Sequence, residues 1–215
     1  MKHDTSQIRG IYAVTPETED TSDLIAKVTA VLKGGAGIIQ YRSKSGTRAM
    51  QREQCIELLA CAHAFDAILI VNDNSTLAQE IGADGVHLGR GDESVEKARN
   101  RLGPDRIIGV SCYNDLERAR AAQAAGADYV AFGSFFPSST KPEAVRASIS
   151  LLRDAKAELN LPVVAIGGIN MDNAATLIEA GVDCLALISG LFQSSEVEKE
   201  TRAYLQLFTQ PKYQR

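Results

Sequence analysis

Residues 69–92 read LIVNDNSTLAQEIGADGVHLGRGD. The stretch continues an apolar run, 67–71, that is short and branched as buried strands are. It meets Asn72-Asp73, passes through a helix-compatible segment from Ser75 to Ile81, and stops at Gly82, where a helix end needs a residue that tolerates the left-handed conformation. A second short strand, Gly85 to Leu88, runs into Gly89-Arg90-Gly91-Asp92. Strand, helix, glycine, strand is the unit of a parallel α/β sheet. Parallel neighbours would place Asp73 and Asp92 on one rim of that sheet, within reach of one ion. The plainer reading is that each aspartate caps the helix after it. The sequence alone leaves both open.

The phrase that closes this helix recurs. Ile81-Gly82-Ala83-Asp84, Ala125-Gly126-Ala127-Asp128 and Ala180-Gly181-Val182-Asp183 each lead straight into an apolar strand. Working outward, strands are expected at 11–14, 37–40, 67–71, 85–88, 107–110, 129–132, 163–166 and 184–188. Between and after them, helices are expected at 23–32, 47–65, 75–81, 94–102, 115–125, 145–159, 172–180 and 196–207. The long helix at 47–65 is expected to turn Ile56, Leu59, Ala60 and His63 to one face. Eight strand–helix units with strands apolar on both faces predict an α/β fold, a single (β/α)8 TIM barrel around an all-parallel eight-stranded inner sheet. An open doubly wound sheet fits less well, because no GxGxxG turn follows the first strand and no strands are spare for a second domain. One domain is expected over residues 1–215, with 1–9 a flexible or barrel-capping segment and 209–215 a tail.

The length of 215 residues suits one barrel. A net charge of −4 gives no basic field for nucleic acid or an acidic membrane surface, so an anionic ligand must be held by local cations and backbone donors. Cys55, Cys61, Cys112 and Cys184 form no CxxC pair, which suggests neither a zinc site nor a thioredoxin motif and fits thiols in a reducing cytoplasm. The segment MKHDTSQIRG is polar, so no secretory signal is expected, and no apolar run reaches membrane-spanning length.

In such a barrel the chemistry sits at the C-terminal strand ends. Those ends collect Gln40, Arg42 and Lys44; Asn72 and Asp73; His87 and Asp92; Ser111; Ser138, Thr140 and Lys141; Gly167 and Gly168; and Ser189. Cations suit a phosphate and carboxylates suit a metal. Both together suit a phosphate or diphosphate bridged by Mg²⁺, which keeps several waters and uses one or two carboxylates. Each residue also has a plain structural reading: Arg42 and Lys44 as a solvated face, Lys141 as a loop lysine, His87 as a hydrogen-bonded core histidine. Their shared strand end is what joins them. Gly167-Gly168 and Ser189-Gly190 follow the last two strands, where barrels bind phosphate through backbone N–H groups.

The segments QYRSK, LIVND, GADGVHLGRGD, IIGVS, GADYVAFGSFFPSSTK, PVVAIGGI and ALISGLF resemble, in order and spacing, those of the thiamine-phosphate synthase (thiamine-phosphate pyrophosphorylase) family, over nearly the whole chain. The resemblance implies a transferase that joins hydroxymethylpyrimidine diphosphate to hydroxyethylthiazole phosphate and releases pyrophosphate. It implies that Gln40, Tyr41, Arg42, Ser43, Lys44, Asn72, His87, Ser111 and Lys141 bind the pyrimidine diphosphate, with Arg42, Lys44 and Lys141 acting in catalysis. It implies that Ser138, Ser139, Thr140, Gly168, Ile188 and Ser189 bind the thiazole phosphate, and that Asp73 and Asp92 hold the cofactor Mg²⁺. The loop at 133–142 would be a lid. A cytoplasmic protein without nucleic-acid or membrane partners is implied, with barrel helix faces of the kind that form homodimers. The chain departs from the usual pattern at Tyr41 and Ser43 (usually Leu and Glu), Arg90 (Gln), Ser134 (Pro) and Ser138 (Thr). Tyr41 is expected to narrow the pocket and Arg90 to add charge beside the metal. A thiazole tautomerase of the same superfamily would not need the diphosphate cations or the carboxylate pair. A non-catalytic phosphate-ligand sensor on the same scaffold would bind without turnover.

Overall fold

The computed structural model describes residues 5–137 and 145–210. The strands are β1 (Gly10–Val14), β2 (Ile38–Tyr41), β3 (Ile68–Asn72), β4 (Gly85–Leu88), β5 (Ile107–Tyr113), β6 (Tyr129–Phe132), β7 (Val163–Ile166) and β8 (Cys184–Leu187). The helices are α1 (Thr21–Lys33), α2 (Arg48–His63), α3 (Ser75–Ile81), α4 (Val95–Leu102), α5 (Leu116–Ala124), α6 (Ile149–Glu158), α7 (Ala174–Glu179), α8 (Ser189–Phe192) and α9 (Val197–Thr209). Each strand pairs in parallel with the next, and β1 pairs with β8, closing the barrel predicted from the sequence.

Closure divides the core in two, because alternate side chains of every strand point to opposite faces. Ile11, Ala13, Ile39, Leu69, Val86, Ile108, Val130 and Leu185 face outward and pack under the helices. Ile8, Tyr12, Ile38, Ile70, Ile107, Tyr129, Val164 and Cys184 fill the barrel itself. Ile8, just before β1, is buried with this inner set.

The repeated phrase does more than end a helix. Gly82, Gly126 and Gly181 take φ of +70°, +88° and +94°, as a left-handed cap requires. The aspartate two residues on then closes a ring with the preceding odd-numbered strand. Asp84 N–H donates to Leu69 O, and Leu69 N–H returns a bond to Asp84 Oδ2 at 2.8 Å. Asp128 does the same with Ile108, and Asp183 with Val163. Each carboxylate also meets a base from the preceding even-numbered helix: His63 of α2, Arg99 of α4 and Lys156 of α6. The chain therefore repeats in two-strand modules, fixed at the N-terminal face of the barrel.

Several local expectations change. The buried face of α2 is Gln54, Cys55, Leu58 and Ala62, whereas Ile56, Ala60 and His63 are exposed. Gln54 occupies an inward position that polarity argued against, and it can do so because its amide is satisfied: Tyr41 Oη donates to Oε1 and Nε2 donates to Thr18 O. Helix α6 begins at Ile149 and not at 145, since Ser148 is its cap and accepts from Leu151 N–H, while Ala147 N–H is bound to Ser134 O. Strand β5 runs on to Tyr113, and β8 stops at Leu187 and is followed by a short helix, α8. Among the described residues no helix is long and apolar enough to cross a membrane.

The aspartate rings make a stability prediction. Replacing Asp128 by Ala strips Ile108 N–H and the half-buried Arg99 of a shared acceptor, and a buried donor left unpaired costs about 1–3 kcal/mol. Replacing Lys199, whose partnership with Glu196 is 76% and 65% exposed, should cost roughly 0.5 kcal/mol or less. Urea midpoints of the two variants against the parent chain check the difference.

Candidate active site

The C-terminal strand ends surround a cavity of about 390 Å³. This falls within the roughly 300–1,000 Å³ typical of small-molecule sites. Val14, Ala131, Val164, Ile166, Ala186 and Ile188 give it apolar walls, and Gln40, Arg42, Asn72, His87, Arg90 and Ser111 line it with polar groups. A slot of about 30 Å³, lined by Gly168, Ser189 and Gly190, adjoins it between the ends of β7 and β8 and shares Ile166, Gly167, Ala186 and Ile188 with it. Among the described residues nothing accepts from the amide N–H of Gly168 or Ser189.

Neither Asp73 nor Asp92 caps a helix. Asn74 caps α3 by accepting from Leu77 N–H, and Ser94 caps α4 by accepting from Lys97 N–H. Asp73, at the end of β3, adopts φ of +61°, an uncommon conformation for a residue with a side chain, and its N–H donates to His87 O. Asp92 turns back to accept from Gly89 N–H at 2.6 Å. The carboxylates converge across Gly89: a Cβ built there would lie 3.0 Å from Asp92 Oδ2 and 3.9 Å from Asp73 Oδ1. Desolvation, a hydrogen bond with Asp92 and the Asp92 charge push the Asp73 carboxyl up to about 6, against the opposing pull of Lys44 and Asn72. Two hard carboxylates that repel one another can share a small divalent cation, and the donor set suits Mg²⁺ because that ion takes one or two carboxylates and completes its shell with water and substrate oxygens. Among the described residues no group of three or more His, Cys, Asp and Glu side chains gathers as an all-protein cage.

Around this pair the rim is tied together by residues that sequence reasoning passed over. Glu17, after β1, accepts from Lys44 N–H, Ser45 N–H and Ser45 Oγ at 2.7, 2.6 and 2.7 Å, and so holds the turn that carries Arg42 and Lys44. Those bonds keep the Glu17 carboxyl below its ordinary value, that of Ser45 Oγ first. Arg118 Nε donates to Ser111 O and its Nη2 to Gly89 O, joining β5 to the turn that carries Asp92. The Arg90 guanidinium lies over the Tyr113 ring, 4.9 Å from its centroid. Deeper in the barrel, Tyr12 and Tyr129 join Gln40 and His87 in one hydrogen-bonded chain. Both tyrosines read as apolar strand residues in the sequence, and only closure of the barrel reveals their hydroxyls as a polar floor.

The expected residues fall into three groups. Gln40, Arg42, Asn72, His87, Ser111 and Ile188 line the main cavity, with Gly168 and Ser189 in the slot and Lys44, Asp73 and Asp92 at the rim. Tyr41 and Ser43 do not line it. Tyr41 belongs to the outer core with its hydroxyl bound to Gln54, so it does not narrow the pocket; adjacent strand residues face opposite ways, and Gln40 takes the inner side. Ser43 Oγ lies beside the Tyr41 hydroxyl without meeting hydrogen-bond geometry, a buried oxygen left unpaired. Ser138, Ser139, Thr140 and Lys141 lie outside the described residues, as does most of the expected lid. The base of that loop is fixed to β7: Phe135 N–H donates to Ile166 O and Phe136 N–H to Gly167 O. Glycine is required at 167 and 168 for that contact, since added Cβ atoms would approach Ser134 Oγ to 2.2 Å and Pro137 O to 2.3 Å.

Residues 11–191 match the family model described as thiamine monophosphate synthase. The chain is 54% identical to the thiamine-phosphate synthase of Thiobacillus denitrificans, over 93% of this chain and 94% of that one. It is 52% identical to that of Methylobacillus flagellatus, over 96% and 99%. The thiamine phosphate pyrophosphorylase of Pyrococcus furiosus superposes with a TM-score of 0.84 at 34% identity, covering 95% of this chain and 97% of that one.

The paired carboxylates predict a pH-dependent stability. With the Asp73 value raised to about 6 in the fold, the metal-free protein is favoured while this group holds its proton, and the benefit is lost as pH rises through about 6. At pH 7.5 in EDTA, Asp73→Asn should therefore melt at or above the parent temperature. Added Mg²⁺ should raise the parent melting temperature at pH 8 more than at pH 5, and should leave the variant unchanged. Differential scanning fluorimetry reads both, and a variant that melts lower in EDTA overturns the repulsion argument.

Proposed function

The chain belongs to the thiamine monophosphate synthase family, and on that premise we propose that it makes thiamine phosphate. The reaction transfers the 4-amino-2-methylpyrimidinylmethyl group from its diphosphate to hydroxyethylthiazole phosphate and releases pyrophosphate. The observation that carries this reading is the convergence on one small cavity of an apolar wall, a polar floor and an arginine, with a carboxylate pair beside Gly89 in the turn that carries the cavity-lining Arg90. A flat heterocycle fits between the apolar walls with its polar edge on Gln40 and Ser111. Its diphosphate points to the rim at Arg42 and Lys44, and the thiazole phosphate occupies the slot that Gly168 and Ser189 line, where backbone amides can take a phosphate.

The chemistry follows from those positions. The bond between the pyrimidine CH₂ and the diphosphate oxygen breaks, and its electron pair leaves with the diphosphate. The electron-rich aminopyrimidine stabilises the cation left behind, and the lone pair of the thiazole nitrogen then forms the new C–N bond. Arg42 and Lys44 compensate the charge that grows on the departing oxygens, a role the resemblance also gives to Lys141. Asp73 and Asp92 would hold Mg²⁺, which when bound supplies further positive charge to the diphosphate. The apolar walls exclude water, which would otherwise capture the cation, and the slot holds the second substrate in line with the carbon. No covalent nucleophile is needed. Cys112 next to Ser111 is buried, its thiol donates to Val110 O, and burial pushes it up to about 12.

The carboxylate pair separates this reading from a thiazole tautomerase, which has no diphosphate to neutralise. With pyrimidine diphosphate, thiazole phosphate and Mg²⁺, the protein should form thiamine phosphate and pyrophosphate in equal amounts, and EDTA should abolish both. Arg42→Ala should lower kcat/KM by about 10²-fold or more, as loss of a charge-stabilising donor does. Thiazole phosphate binding by calorimetry with no product formed would favour the tautomerase or sensor reading.

A further inference from the structure

Five polar side chains form a single file across the barrel interior. Gln40 Nε2 donates to Tyr12 Oη at 2.7 Å, and the Tyr12 and Tyr129 hydroxyls are 2.7 Å apart. Tyr129 Oη lies 2.9 Å from His87 Nδ1, and His87 Nε2 lies 2.8 Å from Ser111 Oγ. The five come from β2, β1, β6, β4 and β5. Gln40, Tyr12, His87 and Ser111 line the cavity, while Tyr129 does not. It is fully buried beneath the floor, stacked on the His87 ring at 5.5 Å and edge-on to Tyr12 at 5.9 Å.

Each phenol in this file has one proton, and a neutral imidazole has one N–H. The direction of one bond therefore sets the direction of the next. With Gln40 donating to Tyr12, a file of single polarity sends the Tyr12 proton to Tyr129 and the Tyr129 proton to His87 Nδ1. The imidazole proton then sits on Nε2 and is given to Ser111 Oγ. Two groups are left to face the cavity: the Ser111 O–H as donor and Gln40 Oε1 as acceptor. Running the file backwards reverses every bond, so that Ser111 becomes the acceptor and the Gln40 amide the donor. A break between the two polarities would set two donors or two acceptors face to face in a buried site, which is costly. The two ends are thus always opposite in kind, and Tyr129 is the link through which one end constrains the other.

We propose that Tyr129, though it touches no substrate, is a positioning residue that holds His87 as the Nε2–H tautomer and so makes Ser111 the donor and Gln40 the acceptor toward the bound heterocycle. An aminopyrimidine edge carries an N–H donor beside a ring-nitrogen acceptor and matches that pair. The corresponding oxo-pyrimidine, with a carbonyl acceptor beside a ring N–H, matches the reversed file. The file therefore selects amino over oxo heterocycles, a statement of specificity that rests on the pyrimidine reading above.

The tautomer can be read without any substrate. The chain has three histidines, His3, His63 and His87, so long-range ¹⁵N–¹H NMR of the full-length, ligand-free protein resolves the imidazole in question, with His63→Gln and His3→Gln completing the assignment. His87 should carry its proton on Nε2, and Tyr129→Phe should let the Nδ1–H form appear. A parent protein with the proton on Nδ1, or a folded variant that keeps a single Nε2–H form, overturns the proposal. The second measurement compares binding of the 4-amino-2-methylpyrimidine diphosphate with its 4-oxo counterpart. The parent should prefer the amino compound, and Tyr129→Phe should reduce that preference by about tenfold, as loss of one hydrogen bond's worth of orientation implies. Equal preference in parent and variant counts against Tyr129. Should neither compound bind the parent while His87 keeps its Nε2–H form, the pyrimidine reading and the claim of specificity fail and the positioning of His87 by Tyr129 stands.

Discussion

The structure depends first on a carboxylate that satisfies a strand. In each of three places, an aspartate after a left-handed glycine exchanges two hydrogen bonds with a residue of the preceding odd-numbered strand and meets a base from the helix before that strand. A parallel strand needs its first amide paired as much as its last, and the helix before it must release the chain at a set height. One side chain does both. With the N-terminal face fixed by Asp84, Asp128 and Asp183, the C-terminal ends arrive at a constant stagger, and their loops are free to carry polar groups that have no structural duty.

That division of labour explains why Asp73 and Asp92 differ from the other aspartates. Capping falls to Asn74 and Ser94, one and two residues further on. The rim carboxylates are left to face each other, with Asp73 in a left-handed backbone conformation. Two carboxyls brought together without compensation disfavour the fold above the raised Asp73 value. The geometry tolerates this because the rest of the barrel over-determines it: the Glu17 latch on the Arg42–Lys44 turn and the Arg118 tie between Ser111 O and Gly89 O hold the turns that surround the pair. Strain of this kind gathers at sites rather than in scaffolds.

The barrel was legible because its punctuation is explicit: a glycine that only a left-handed cap explains, followed at once by an apolar strand, again and again. The rim was legible for the same reason, since once strand ends are known their polar residues are known. What could not be read was direction and partnership. Alternation gives no clue in strands buried on both faces, so the sequence does not separate Tyr41 from Gln40 although the Tyr41 side chain belongs to the outer layer. The inward face of α2 is hidden in the sequence because Gln54 counts as polar until its two hydrogen bonds are seen. The role of the aspartate in the repeated phrase is not legible, because its partners, Leu69, Ile108 and Val163, lie about 15 to 20 residues back in the chain.

The buried polar floor is the part furthest from sequence reasoning and closest to the chemistry. A dissociative transfer asks the protein for little bond-making of its own. It asks that the ring be held in one orientation while charge moves off one carbon and a nitrogen closes on it. Apolar walls alone cannot fix the rotation of a flat ring about its own normal. Two polar contacts of opposite kind can, provided that neither is able to change kind independently. In this barrel the contacts come from different strands, Gln40 on β2 and Ser111 on β5, and no hydrogen bond joins them directly. The phenols of Tyr12 and Tyr129 and the imidazole of His87 supply the missing connection. Burial pushes both phenols well above their ordinary values, so each keeps its single proton. The floor is therefore a fixed sequence of donors and acceptors, set by the fold before any substrate arrives, and that preorganisation is the form of catalytic help a reaction without a covalent nucleophile can use.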